Sequence, residues 1–367
     1  MATAPPSQDL PAALLRQAIA LPKVLLHEHL DGGLRVATLL ALLRQRGITP
    51  TADSEAELAA WFDARAHAGS LAQYLSGFAL TVAAMATPEA LAQVAFEAAE
   101  DARLDGCVLA EFRIAPLLFE PHGIAGDIAI AAVLAGLSRS PLPTGLIVCA
   151  MRHESDVQIA RAAELALHFH QAPQVHGQAR VVGFDLAGPE AGWPATRHAA
   201  LLKRVRSAGL GLTLHAGEAD VGERVLEAAS LGAQRVGHGV RLADLLADPL
   251  RATSALATLR QHPVHLEICP ASNLHTGAAR SYAQHPIHAL WRAGLPLSFH
   301  TDNRLISRIT HSGEAARLVQ AGFGWADLVQ MGLAAAAASF MGAAPRAAAT
   351  QALLGWATQQ GLSPTRR

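Results

Sequence analysis

The chain has 367 residues, 51% of them hydrophobic and 16% charged, and a formal net charge of -1. That composition excludes long disorder and supplies no basic field for a polyanion, so neither a nucleic-acid partner nor a charged tail is expected. Enough apolar surface is present to fill one large α/β domain, read here as a single unit over residues 1–367.

The first stretch, MATAPPSQDLPAALLRQAIALP, lacks a basic leader and its apolar run is interrupted by Arg16, so it does not read as a signal peptide. Eight short apolar or β-branched runs then follow: 24–29, 107–115, 144–151, 181–188, 210–217, 235–240, 264–271 and 295–302. Most lead through a loop into an Ala/Leu segment with helical spacing. Strands alternating with helices eight times predict an α/β fold, a (β/α)8 TIM barrel. Between the first two strands, residues 34–106 exceed what one crossover helix needs, and we read them as a helical lid insertion. Its aromatic and apolar residues Trp61, Phe62, Tyr74, Leu75 and Phe78 either cover a pocket mouth or pack between helices. The Ala-rich 331–349 stretch carries Arg346 and a proline and reads as packed helix, so no membrane span is expected. Residues 359–367 read as a frayed tail. Cys107, Cys149 and Cys269 are odd in number and outside C-x-x-C spacing, which argues against a disulfide framework or a thiolate metal site and fits a reducing cytoplasm.

In such a barrel the chemistry gathers at the carboxyl ends of the strands. The polar residues there are His27 and His29 on the first run, His215 on the fifth, His238 on the sixth and Asp302 on the eighth. Alternation points His27 and His29 to one face and Glu28 to the other. A lone H-x-H is more often a solvated pair than a metal site. Joined by His215 and Asp302 at other strand ends, however, it becomes a nitrogen and oxygen donor set suited to zinc. Taken singly, His215 reads equally as a core histidine, and Asp302 as a helix cap.

Glu218 follows His215 in HAGE, where Gly217 lets the chain turn, so its carboxyl faces the same pocket and suits a general acid. The competing reading is a glutamate favoured by a helix N-terminus. His238, between Gly237 and Gly239, reads as a residue that orients or deprotonates water, as a fifth ligand, or as a structural histidine.

These motifs resemble those of the adenosine deaminase family of the amidohydrolase superfamily. The likeness lies in PKVLLHEHLDGGLR (22–35), VVGFDLAGPE (181–190), LHAGE (214–218), RVGHG (235–239), EICPASN (267–273) and TDN (301–303), in order over nearly the whole chain. The resemblance implies one zinc ion held by His27, His29, His215 and Asp302, with Glu218 giving a proton to purine N1. It also implies that His238 orients the attacking water and helps to deprotonate it. His29, Asp31, Gly188 and Asn303 become the substrate contacts: Asp31 toward the ribose 5'-hydroxyl, Gly188 through its backbone N-H toward N3, and Asn303 toward N7.

Two residues depart from the family's commonest pattern. Asn303 stands where many relatives have a second aspartate; an amide donates to N7 without needing to be protonated, so the contact is expected to survive with altered pH behaviour. His300 stands where a smaller polar residue is more usual, and we read it as supporting the metal site from behind, the alternative being that it tunes the substrate.

The implied reaction is hydrolytic deamination of adenosine, and of 2'-deoxyadenosine, to the 6-oxo nucleoside and ammonia. The alternatives are deamination of a related 6-aminopurine nucleoside such as 6-amino-6-deoxyfutalosine, or non-catalytic adenosine binding on the same scaffold. The chain's lysines are Lys23 and Lys203. Neither sits at the end of the fourth strand, where a dinuclear relative would carry a bridging one.

Overall fold

The computed structural model describes residues 10–67, 77–173, 175 and 177–363. Eight parallel strands pair in the order of the chain: β1 (Lys23–Leu25), β2 (Cys107–Ile114), β3 (Thr144–Met151), β4 (Arg180–Ala187), β5 (Gly211–Ala216), β6 (Arg235–His238), β7 (His265–Ile268) and β8 (Leu297–Phe299). Helices between them cover the outside, giving the expected (β/α)8 barrel.

The seam between β8 and β1 is made differently from the other seven contacts. Beyond Leu25 the chain no longer forms a regular strand, because its partner is a loop. The Leu26 N-H donates to the His300 ring at 3.2 Å. The Asp302 N-H donates to the His27 carbonyl at 3.0 Å, and the His29 N-H to the Asp302 carbonyl at 2.7 Å. His27 and His29 therefore lie just past the end of β1, held by the eighth-strand loop. A side chain takes the place of a ladder carbonyl, so the buried N-H is still satisfied.

Residues opposite one another in parallel register share a face. Asp185 is in register with Cys149 and Thr213, and Thr213 with Arg235, which lines the barrel interior with polar groups. Its floor is Phe340: a Cβ on Gly211 would lie 2.3 Å from the Phe340 ring and one on Gly183 2.8 Å from it, so glycine is what the ring's approach requires.

The 331–349 stretch is packed helix apart from a break at Phe340. The helix Trp325–Ala338 stops, and another runs Ala343–Gln359. Between them the Ser339 hydroxyl and the Phe340 N-H donate to buried Glu111 at 2.6 and 2.7 Å. Two hydrogen bonds to a carboxylate outweigh continuation of the helix.

Within 34–106 the described helices are Val36–Gln45, Glu55–Ala66, Phe78–Met85 and Pro88–Leu104. The last starts at an N-cap whose Thr87 hydroxyl accepts from the Ala90 N-H, followed by Pro88 at its first position. Phe62 is fully buried in the core, Trp61 packs against it, and Phe78 lines the central cavity. Tyr74 and Leu75 lie outside the described residues. Among the described residues no single helix is long and apolar enough to cross a membrane.

Candidate active site

His27, His29, His215 and Asp302 converge at the carboxyl ends of the strands, with one donor atom from each within 4.8 Å of all the others. The Nε2 atoms of His29 and His215 are 3.3 Å apart. Asp302 Oδ1 lies 3.4 Å from His27 Nε2 and 3.6 Å from His29 Nε2. His27 Nε2 is buried without a hydrogen-bond partner, an expensive arrangement unless a cation meets its lone pair. Three imidazoles and one carboxylate form a metal-binding cluster suited to a borderline divalent ion. Asp302 holds the left-handed backbone angle φ 59°, kept there by the two hydrogen bonds of the seam.

Buried carboxylates fix which imidazole nitrogen faces the metal. Glu267 takes His27 Nδ1 at 2.8 Å, and Asp185 takes His215 Nδ1 at 2.9 Å. With Nδ1-H donating, each Nε2 lone pair points into the cluster. Arg113 joins the two carboxylates, at 2.8 Å to Asp185 and 2.7 Å to Glu267. Arg235 joins Glu267 to Glu111, at 2.6 Å to each. Burial by itself raises a carboxyl's pKa; at Glu267 the two guanidiniums and His27 overcome it and hold the group well below its usual range. Asp185 is lowered by His215 and Arg113 against the same opposing burial. The two guanidiniums are thus shared among three carboxylates, Glu111, Asp185 and Glu267, whereas Asp302 meets only the His27 and His29 rings.

A cavity of about 490 Å³ opens beside the cluster, its lining including Asp31, Phe78, Met151, Gly188, Glu218 and Asn303. Glu218 is anchored through Oε1, which accepts from Asn273 Nδ2 at 3.2 Å and Thr276 Oγ1 at 3.0 Å. Its Oε2 lies 3.5 Å from His238 Nε2. The Glu190 carboxylate holds the loop that carries Glu218, accepting from the Glu218, Ala219 and Asp220 N-H groups. His238 receives the Asn273 amide on Nδ1 at 3.1 Å, so the neutral ring carries its hydrogen on Nε2. Gly237 makes room for this packing, since a Cβ there would lie 2.9 Å from the His27 ring.

Asp31 is 2% exposed and its Oδ1 has no hydrogen-bond partner; burial pushes the carboxyl up to about 7. Gly188 sits at φ +92°, where a side chain would be strained and would crowd Met151 and His153. Asn303 packs directly on Gly32, whose added Cβ would fall 2.0 Å from Asn303 Oδ1. His29, Asp31, Gly188, His215, Glu218, His238, Asp302 and Asn303 line this cavity, and His27 joins three of them in the metal cluster behind it, whereas His300 reaches neither. That ring points away from the cluster: Nδ1 accepts from Leu26 and Nε2 meets Ser298 Oγ at 2.7 Å.

Sequence reasoning missed Asp185, Glu267, Arg113, Asn273 and Glu190 as parts of the site. A signal was present for three of them. A charge in the middle of an apolar strand, as in VVGFDLAG, VHLEICPA and CVLAEFRIA, must find a partner when the strand is buried.

Residues 22–354 match the family model for adenosine deaminase. The adenosine deaminase of Mycobacterium tuberculosis (strain H37Rv) is 43% identical over 348 residues, covering 90% of this chain and 93% of that protein. Among solved structures, the adenine deaminase from Arthrobacter aurescens superposes with a TM-score of 0.80 at 23% identity, over 92% of this chain and 99% of that one. A zinc-bound amidohydrolase from Burkholderia ambifaria gives 0.78 at 23% identity, over 96% and 95%. At such identities the two structures speak for the fold alone.

Proposed function

The chain belongs to the adenosine deaminase family, and from that premise we propose that it hydrolyses adenosine and 2'-deoxyadenosine to the 6-oxo nucleoside and ammonia with one zinc ion per chain. The observation that carries this reading is the Glu218 carboxyl, anchored at Oε1 beside the four-residue metal cluster, in a cavity that a nucleoside fits.

His27, His29, His215 and Asp302 would hold the zinc. When bound, it supplies Lewis acidity that makes water nucleophilic near neutral pH. Glu218 delivers a proton from Oε2 to purine N1, which drains electron density from C6. His238 orients the attacking water through its Nε2-H; helping to deprotonate that water requires the Asn273 amide to turn and accept from Nδ1. The proton lost by the added oxygen passes to the 6-amino group, which leaves C6 as ammonia while that oxygen becomes the 6-oxo group. The unpartnered Asp31 oxygen supports a role in receiving the ribose 5'-hydroxyl, His29 borders the same space, the Gly188 N-H serves N3, and the Asn303 amide serves N7.

No arginine or lysine is among the described residues lining the cavity, and buried Asp31 opposes a second negative charge, which favours a nucleoside over a nucleotide. We read 34–106 as a lid insertion on one barrel domain spanning 1–367, with Phe78 and Val82 over the cavity. Three buried free thiols support a reducing cytoplasm.

The test is loss of the adenine chromophore and release of ammonia from adenosine, with 6-amino-6-deoxyfutalosine as the second substrate. Turnover of the extended nucleoside alone would overturn the choice of adenosine. Glu218→Gln is expected to keep the metal and lose about 10²–10⁴-fold in kcat, whereas His215→Ala loses metal and turnover together. A fully active Glu218→Gln enzyme would remove the assigned proton donor.

A further inference from the structure

Arg304 follows Asn303 and begins the short helix Arg304–Ser307, yet its side chain reaches back across the barrel mouth. Its Nε donates to Glu28 Oε1 at 2.5 Å, its Nη1 to Asp101 Oδ2 at 3.1 Å and its Nη2 to the Gly33 carbonyl at 3.0 Å. These acceptors belong to two segments, the stretch 28–33 after β1 and the helix that carries Asp101. Glu28 lies between the metal-binding residues His27 and His29. Gly33 closes the 3-10 turn Leu30–Gly32 that carries Asp31. Asp101 belongs to the helix Pro88–Leu104 and is gripped from outside by Arg35, at 2.5 Å to Oδ1.

Glu28 is held from its other side as well, accepting from Thr301 Oγ1 at 2.7 Å, just before Asp302. The Asp31 turn is also in direct contact with Asn303, through Gly32. One guanidinium therefore ties the turn bearing Asp31 to the loop bearing Asn303. Its planar fork reaches three acceptors in fixed directions, which a lysine cannot imitate. With a side-chain exposure of 15%, it is shielded from the solvent screening that weakens surface pairs.

We propose that Arg304 is a positioning residue that holds the Asp31 carboxyl and the Asn303 amide at a set separation, so that recognition of the ribose 5'-hydroxyl and of the purine ring is coupled. The proposal rests on the assignment of Asp31 and Asn303 to those two parts of a nucleoside. Asp101 is the outer anchor of the clamp. It touches neither cluster nor cavity, so it acts on recognition through Arg304 and through Arg35, which lies two residues beyond Gly33.

The experiment compares kcat/KM for adenosine and for 5'-deoxyadenosine, which lacks the hydroxyl, in the wild-type chain, Arg304→Gln, Arg304→Lys and Asp101→Asn, with bound metal measured in each. Arg304→Gln is expected to lose about 30-fold on adenosine and under about threefold on the deoxy analogue, the size that ångström-scale misplacement produces. The preference for the hydroxyl therefore collapses about tenfold while the metal content stays at the wild-type value. Asp101→Asn shifts the ratio in the same direction by about threefold, and Arg304→Lys falls between Arg304→Gln and wild type.

An equal loss on both substrates, or an unchanged ratio in both Arg304→Gln and Asp101→Asn, overturns the clamp. Should Arg304→Gln fail to fold, the ratio in Asp101→Asn decides alone. Equilibrium binding of inosine and 5'-deoxyinosine reads the same ratio without turnover. Failure of the wild-type chain to deaminate adenosine therefore strikes the substrate reading, and a ratio unchanged by the variants strikes the clamp.

Discussion

The two sides of the cavity are built on opposite terms. On one side, the ends of β1, β5, β6 and β8 and the loop after β7 present charged and imidazole groups, most of them tied to one another by buried hydrogen bonds. On the other, the ends of β2, β3 and β4 offer Ala115, Cys149, Met151, Ala187 and Gly188, small or apolar residues, with His122, His153 and Glu190 in the loops beyond them. A buried charge is tolerable only when paired, so the polar side is over-determined and a change at one residue reaches several others. The apolar side is constrained by volume alone, and volume can be conserved by substitution.

The largest expected break comes from Glu267→Gln. It removes the charge that Arg113, Arg235 and His27 share, and we expect a loss of about 3–5 kcal/mol in denaturant unfolding together with weakened metal retention. A variant within 1 kcal/mol of wild type would refute the over-determined network.

A carboxyl on the same side behaves in the reverse manner. Glu314 accepts from the Ala271 N-H and the Tyr282 hydroxyl, and burial pushes it up to about 8 from 4.5. The folded state keeps a proton that the unfolded chain has released, so this group's contribution is complete below about 4.5 and is lost as pH rises to about 8. Glu314→Gln should remove up to roughly 4 kcal/mol of that downward slope, read from unfolding curves between pH 5 and 8. Identical slopes in the two proteins would show that Glu314 is ionised throughout.

Asp185→Asn comes next. The His215 ring loses its carboxylate while Arg113 keeps Glu267, so metal affinity should fall about 10–100-fold in chelator competition. Smallest of all is Met151→Leu on the apolar wall, expected to change stability by less than about 1.5 kcal/mol and to leave metal content unchanged. Metal loss in that variant would erase the contrast between the two sides.

Much of the site was readable in advance because strand periodicity is local. Two residues apart means one face, so His27 and His29 had to point together and Glu28 away from them. What was not readable was set by closure. His300 follows the same alternation as Asp302, yet the eighth strand ends at Phe299 and its loop crosses to β1. The ring consequently satisfies the Leu26 N-H, next to His27, rather than meeting a metal-binding side chain directly.

The sequence by itself determined the eight alternating units, the four metal-binding residues and the acid beside them, because strand-end position and residue chemistry are properties of short segments. Only the tertiary structure decided which carboxylate orients which imidazole, why Phe340 interrupts the alanine-rich stretch, and that Arg304 joins the two loops that carry Asp31 and Asn303 to the cavity. Those pairings link residues as far apart as Glu28 and Arg304. They follow from the curvature that brings the eighth strand back to the first, and no local pattern encodes that distance.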